Sequence, residues 1–351
     1  MKRALFAAFG LACVACMLVL ASTANAAATS VTPTEHRRGE EQTFLTYPEW
    51  FLVHSPAEYA AYVREHTPSD FPFWGHIGQL WRSYGAVTRA THEYPFNLGY
   101  HVMICVIAAS TTVEYALRSA YETVIGRLSE LTVVHGLTEE DRYGARVAQD
   151  YVDFIRVLPW YEYDFGARLR GLWRDTSLIG PDPLRKWERK YALTTEYGIK
   201  AAYGWLIKKA TKAGYDAPLP VTAVIVDRLP ANIQAQLPDV KVLLEVPGGR
   251  ALVTLPRYEA FKPHAVALAK GGASFREIAG NAADARILVT ALTPAEWTPA
   301  FAGTRVLFED PILTRPGHKR VALVLPVGEL APVLNGLSGM RGVEIEHIYD
   351  Y

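Results

Sequence analysis

The sequence predicts an α+β protein. An N-terminal all-helical, aromatic-rich domain with an internal duplication precedes a C-terminal domain of two ββαβ-type repeats, a duplicated ferredoxin-like (split β-α-β) arrangement. Three observations lead there. From Phe44 to about Lys212 apolar residues recur with helical period, and this stretch holds seven of the eight tryptophans and fifteen of the nineteen tyrosines. From Pro218 the text changes to short β-branched runs separated by Pro-Gly punctuation. Both halves also repeat themselves, which marks duplicated units. At 351 residues the chain exceeds the size at which a single core stops growing. The expected segments are a leader at 1–26, a flexible lead-in at 27–43, a helical domain at 44–216 and an α+β domain at 217–351.

The leader has the three parts of an export signal: Lys2 and Arg3, an apolar run from Ala4 to Ala21, and a small-residue ending at Ala24-Asn25-Ala26. Cleavage after Ala26 would place the protein in the periplasm or cell envelope and leave Cys105 as the one cysteine. No internal disulfide is then available, and Cys105, inside "HVMICVIAA", is expected to be a small buried hydrophobe.

In the helical domain, Ser55-Pro56-Ala57-Glu58 reads as an N-cap, a first-turn proline and an acid that returns a bond to the cap, opening a helix to about His66. Further helices are expected over Gly75–Thr91 and from Gly99 to Leu128. Another starts at Thr138, with Asp141 as its capping-box acid, and a long one runs from Asp182-Pro183 to Gly214, about 45 Å at 1.5 Å per residue.

Two of these helices carry one phrase. "TTVEYALRSAYETVI" (111–125) returns as "TTEYGIKAAYGWLI" (194–207), matching Thr112 with Thr194, Glu114 with Glu196, Tyr115 with Tyr197, Arg118 with Lys200 and Tyr121 with Tyr203. "LWRSY" at 80–84 is echoed by "LWRDT" at 172–176. Thr112, Ala116 and Ala120, like Thr194, Gly198 and Ala202, recur every fourth residue, a small-residue stripe along which the two helices are expected to touch. Beside it lies an acid–base–tyrosine stripe in each copy. Glu114, Arg118, Tyr121, Glu196, Lys200 and Tyr203 are therefore the candidate ligand-binding residues, lining an inter-repeat groove.

Residues 98–113, "LGYHVMICVIAASTTV", carry no formal charge, yet they are shorter than the roughly 20 residues needed to span a bilayer. The matching helix holds Glu196 and Lys200, so a buried central helix is the expectation, with membrane association as its alternative.

The chemistry that the sequence offers is sparse. "LPWYEYDF" (158–165) sets Glu162 and Asp164 among rings, the weak candidate for a catalytic acid–base pair. No histidine–cysteine cluster, dinucleotide fingerprint, phosphate-cradling loop or Gly-x-Ser-x-Gly elbow occurs, so no cofactor and no metal are expected. With 36 basic and 36 acidic residues the chain has no net field to draw a nucleic acid.

In the last domain "VKVLLEVP" (240–247) returns as "TRVLFEDP" (304–311), and "RALVTLPRYE" (250–259) as "RVALVLPVGE" (320–329). Each hairpin leads into a helix, near 258–270 and 328–337, and then a strand, "ARILVTAL" or "GVEIEHIY". One antiparallel sheet system with helices on one face is expected. The functional reading is an exported envelope protein acting in ligand binding or assembly without catalysis, its partners a small apolar or ring-bearing ligand or an envelope protein. A hydrolase-like enzyme using Glu162 or Asp164, or a membrane-embedded component anchored near 98–113, are the alternatives.

Overall fold

A computed structural model describes residues 31–211, 219–230, 232–246 and 248–351. The leader at 1–26 and the domain boundary near 216 lie outside the described residues. The chain forms two compact units: 49–81 and 98–211 belong to one, and 31–48, 82–97 and 219–351 to the other.

The first unit is helical. Helix α1 spans Tyr47–Tyr62, α2 Phe73–Ala90, α3 Leu98–Tyr121, α4 Glu139–Ile155, α5 Phe165–Asp175 and α6 Pro183–Thr211. The start expected at Ser55 is corrected, because Pro56 sits inside α1. The Ser55 hydroxyl is committed instead to tertiary contacts, 2.9 Å from His76 Nδ1 and 2.7 Å from the Tyr115 hydroxyl. Burial of the rings of Tyr47 and Phe51 carries the helix N-terminal of the proline against the lost backbone bond and the ring's crowding of the preceding turn.

The Thr138 capping box forms as expected. The Asp141 N–H donates to Thr138 Oγ1 at 3.2 Å and the Thr138 N–H to Asp141 Oδ2 at 3.0 Å. Asp182, where the long helix was expected to open, turns its carboxylate away from α6 and accepts from the backbone N–H groups of Val134 and His135 at 2.8 and 3.1 Å.

Helix α3 continues through a π-helical turn, Glu122–Gly126, into a last α-helical turn, Arg127–Glu130. A π-helical turn carries one extra residue and rotates the side chains beyond it about the helix axis. Here the Glu122 carboxylate folds over Gly126, where a Cβ would meet it, so a larger residue there would have to move the carboxylate that Arg189 holds.

The second unit has two antiparallel sheets. Strands β1 (Val221–Asp227), β2 (Lys241–Val246), β3 (Arg250–Pro256), β4 (Ser274–Ile278) and β5 (Asn281–Ala282) take the order β2-β3-β1-β4-β5. Strands β6 (Arg286–Pro294), β7 (Arg305–Pro311), β8 (His318–Pro326) and β9 (Glu344–Tyr349) take the order β7-β8-β6-β9. Helices α7 (Phe261–Lys270) and α8 (Leu330–Gly339) pack on each other and on strands of both sheets. One core joins Val253, Phe261, Phe275, Leu323, Leu334 and Ile348.

Two expectations change at this unit. There are two sheets, not one system, and "ARILVTAL" opens the second sheet as β6 while the strand that follows α7 in the first is β4, "SFREI". Residues 31–43, expected as a flexible lead-in, are bound to this unit. Thr43 Oγ1 donates to the Tyr349 carbonyl at 2.6 Å and accepts from the Leu288 N–H at 2.9 Å, and Arg38 Nη1 donates to Thr222 Oγ1 at 3.1 Å. Short polar side chains that match strand backbone groups leave no apolar period to read.

Candidate functional site

Four of the six candidate ligand-binding residues meet. Glu114 and Arg118 stand one turn apart on α3, with Nη1 3.7 Å from Oε1, and Glu196 and Lys200 one turn apart on α6 at 2.8 Å. The two helices are antiparallel, so the pairs cross: Arg118 Nη2 lies 3.7 Å from Glu196 Oε2, and Lys200 Nζ lies 3.1 Å from Glu114 Oε1. The result is a closed quartet of two acids and two bases.

Aromatic rings wall each cation. The Arg118 guanidinium lies 4.4 Å from the ring centre of Tyr59 and 5.3 Å from that of Phe73. Lys200 Nζ lies 5.7 Å from the ring centre of Tyr151 and 5.6 Å from that of Phe165. Such contacts strengthen as water leaves. Burial opposes the charge on Glu196, but Arg118 and Lys200 outweigh it and hold the carboxyl at about 2. Burial also pulls down on Arg118 and on Lys200; the facing carboxylates reverse both, so each stays above its ordinary value. Glu196, Arg118 and Lys200 are therefore ionised at neutral pH.

Tyr121 and Tyr203 do not join it. Tyr121 pairs its ring with Tyr191 at 6.4 Å, and Tyr203 stacks on Trp160 at 5.3 Å. The stripe of small residues is not the seam between the helices either. Trp81 Nε1 donates to Thr112 Oγ1, and Trp173 Nε1 to Thr194 Oγ1, both at 3.0 Å. Gly198 faces open space, and Ala120 and Ala202 are exposed. Small side chains leave room beside a helix, and an indole from α2 or α5 takes it; long charged side chains bridge α3 to α6.

The weak catalytic candidates have structural partners. Asp164 caps α5, accepting from the Ala167 N–H at 2.8 Å, and Glu162 forms an ion pair with Lys208. Cys105, expected to be buried, is exposed. Among the described residues no group of three or more His, Cys, Asp or Glu side chains is placed to hold a metal ion.

A second charged cluster went unread in the sequence. "RKWERK" (185–190) has the look of a solvated charge run, yet Arg185, Lys186, Arg189 and Lys190 are all buried. Arg185 Nη2 reaches Asp141 Oδ1 at 2.9 Å, while Nη1 reaches the Gly126 carbonyl at 3.2 Å, Ser129 Oγ at 3.1 Å and Glu188 Oε2 at 3.3 Å. Arg189 grips both oxygens of Glu122, at 2.9 and 3.0 Å, the planar fork that an arginine offers a carboxylate. Lys186 Nζ sits 3.0 Å and Lys190 Nζ 3.3 Å from Glu140 Oε1. The legible signal was the spacing i, i+1, i+4, i+5, which puts four cations on one side of a helix.

Ser55, His76 and Glu58 form a buried serine–histidine–carboxylate chain, His76 Nε2 lying 3.6 Å from Glu58 Oε2. Ninety-two positions on, Asp150 and Arg168 make a corresponding ion pair at 3.5 Å, while Val147 stands in the place of Ser55. The His76–Glu58 contact fastens α2 to α1. The same offset relates Tyr59 to Tyr151, Phe73 to Phe165, Leu80 to Leu172 and Trp81 to Trp173. No family model, no curated protein and no solved structure matches the chain.

Proposed function

We propose that the chain is an exported cell-envelope protein that works by ligand binding or assembly and performs no reaction of its own. The observation that carries this reading is the quartet: Glu114, Arg118, Glu196 and Lys200 are spent on one another, whereas acid–base catalysis needs a group poised between protonation states. The ligand proposed is small and apolar or ring-bearing, and the rings that pack around the quartet are those of Tyr59, Phe73, Tyr151 and Phe165.

Both units are proposed to have arisen by duplication. The offset of 92 supports this for the helical unit. For the other, the two sheets share one strand order and their bulges recur, at Val242/Leu244 and Val306/Phe308 and at Ile225/Val226 and Thr290/Ala291. That order is the one of a split β-α-β unit made twice.

Expression with the native N-terminus, with fractionation and intact-mass measurement, tests the reading. The expected product lies in the envelope fraction, begins at Ala27, and shows no turnover of chromogenic ester, glycoside or phosphate substrates. A cytosolic product of full mass would overturn export. Turnover that disappears in a Glu162→Gln, Asp164→Asn double variant would overturn the non-catalytic reading.

A further inference from the structure

The long helices of the first unit reverse the usual partition of side chains. From 98 to 132 the exposed positions carry no charge, and Leu98, Val113, Leu117, Val124, Ile125 and Leu128 are among them. From 183 to 206 the same holds for α6, whose outward residues include Leu184, Trp187, Tyr191, Ile199 and Trp205. Most charges of both stretches turn the other way, into the quartet and the buried cluster around Arg185, while Arg127 and Glu130 pair beside Asp70 and Lys208 and Lys209 close the C-terminal end of α6. A surface helix in water does the opposite, and an uncharged surface of this extent marks an interaction site. Arg118–Glu196 and Lys200–Glu114 bridge α3 to α6 as antiparallel neighbours, and the exposed Leu117 and Ile199 each directly precede a bridging cation, which sets the apolar sides of the two helices next to each other.

We infer that this face seats in the hydrocarbon boundary of a lipid bilayer, with the helices lying in the membrane plane. The exposed residues of the face are uncharged, and the half-exposed side chains of Glu114 and Arg127 are already paired within the chain, which leaves little charge to set register with a protein partner. Its flanks bear the half-exposed indoles of Trp81 and Trp173, and Trp187, Tyr191 and Trp205 lie on it. Indole and phenol rings concentrate at the headgroup level because one edge is apolar and the other hydrogen-bonds. Lys209 reaches over Trp205, 4.0 Å from a ring centre, as a cation at the rim of an interfacial helix does.

Helix α4 dictates a seat in the plane. The continuous helix Leu98–Glu130 is long and apolar enough to cross a membrane by length and composition, but α4 of the same unit exposes Arg142, Arg146, Asp150 and Asp153. Those charges need water, so the unit rests on the bilayer and does not pass through it. Only the identity of the surface that the protein meets depends on the export reading.

The test is flotation with neutral phosphatidylcholine vesicles of protein purified from whichever cell fraction holds it, which keeps the outcome separate from export. Wild-type protein is expected to float with the vesicles at low and at high salt. A Leu117→Glu, Ile199→Glu double variant should lose partition tenfold or more. Val157→Glu, at an exposed apolar position outside the face, should bind as wild type. All three positions are exposed, and far-UV circular dichroism checks that the variants fold. Wild-type protein that stays with the soluble fraction would overturn the inference, and so would binding that survives the double variant. A lipid-free dimer that the double variant turns into a monomer would also overturn it, assigning the face to a second copy of the chain.

Discussion

Replacing Arg185 with alanine is expected to lower the stability of the protein by about 3 to 5 kcal/mol, the range for breaking a buried ion pair by removing one partner. The side chain is fully buried and its guanidinium donates to Asp141, Ser129, Glu188 and the Gly126 carbonyl. Truncation leaves two carboxylates in a poorly hydrated interior and removes donors from the π-helical turn that carries Glu122. A domain is stable by only about 5 to 15 kcal/mol, so urea unfolding monitored by circular dichroism should show the midpoint collapse. Arg185→Lys should not restore it, because an ammonium cannot reach four acceptors from one planar fork. Unchanged unfolding in the alanine variant would mean that the cluster is solvated.

Glu196→Gln is expected to cost about 1 to 3 kcal/mol at pH 7, the range for hydrogen bonds to charged groups, and the cost should depend on pH. The folded carboxyl is held at about 2 against an ordinary value of 4.5. Its contribution is therefore complete above about pH 4.5 and is lost as the pH falls towards 2. The gap in stability between wild type and variant should narrow through that window. Glu259 in the second unit is likewise held at about 2, where His347 and Lys262 outweigh burial, so wild-type stability should fall in acid for both units. A gap between wild type and Glu196→Gln that stays constant from pH 7 to pH 3 would contradict the assignment.

How much the sequence disclosed depends on how local each signal is. The Thr138–Asp141 box needs four residues and one turn of helix, and the strands of β2, β3, β7 and β8 need only alternation within a hairpin; all were legible. The quartet was legible because two helices repeat a Glu-x-x-x-base spacing, and side chains four apart share a face wherever the helix goes. Ser55-Pro56 misled because a cap and an interior residue look alike until His76 and Tyr115 arrive from distant sequence. The stripe of Thr112, Ala116 and Ala120 marked room for a neighbour without naming it, and the neighbour is an indole from a third helix. Strand β4 passed unnoticed because "SFREI" is five residues long with an exposed arginine in the middle.

The burial of Arg185, Lys186, Arg189 and Lys190 was hidden for a further reason. A charge run reads as solvated unless its counter-ions are known, and Glu122, Asp141 and Glu140 come from 45 to 70 residues away, roughly, in a helical unit whose long helices face their apolar residues outward. The ordinary inference from hydrophobicity to burial fails in the same place for Cys105 and Leu117.

The claim on which the rest depends is that α3 and α6 are joined by crossing charges. A double-mutant cycle on Arg118→Met and Glu196→Gln, read by urea unfolding at pH 7, measures it directly. Residues in one ion-pair network should couple by about 1 kcal/mol or more, with the double variant less damaged than the sum of the single variants. Additive effects, within about 0.3 to 0.5 kcal/mol, would contradict it.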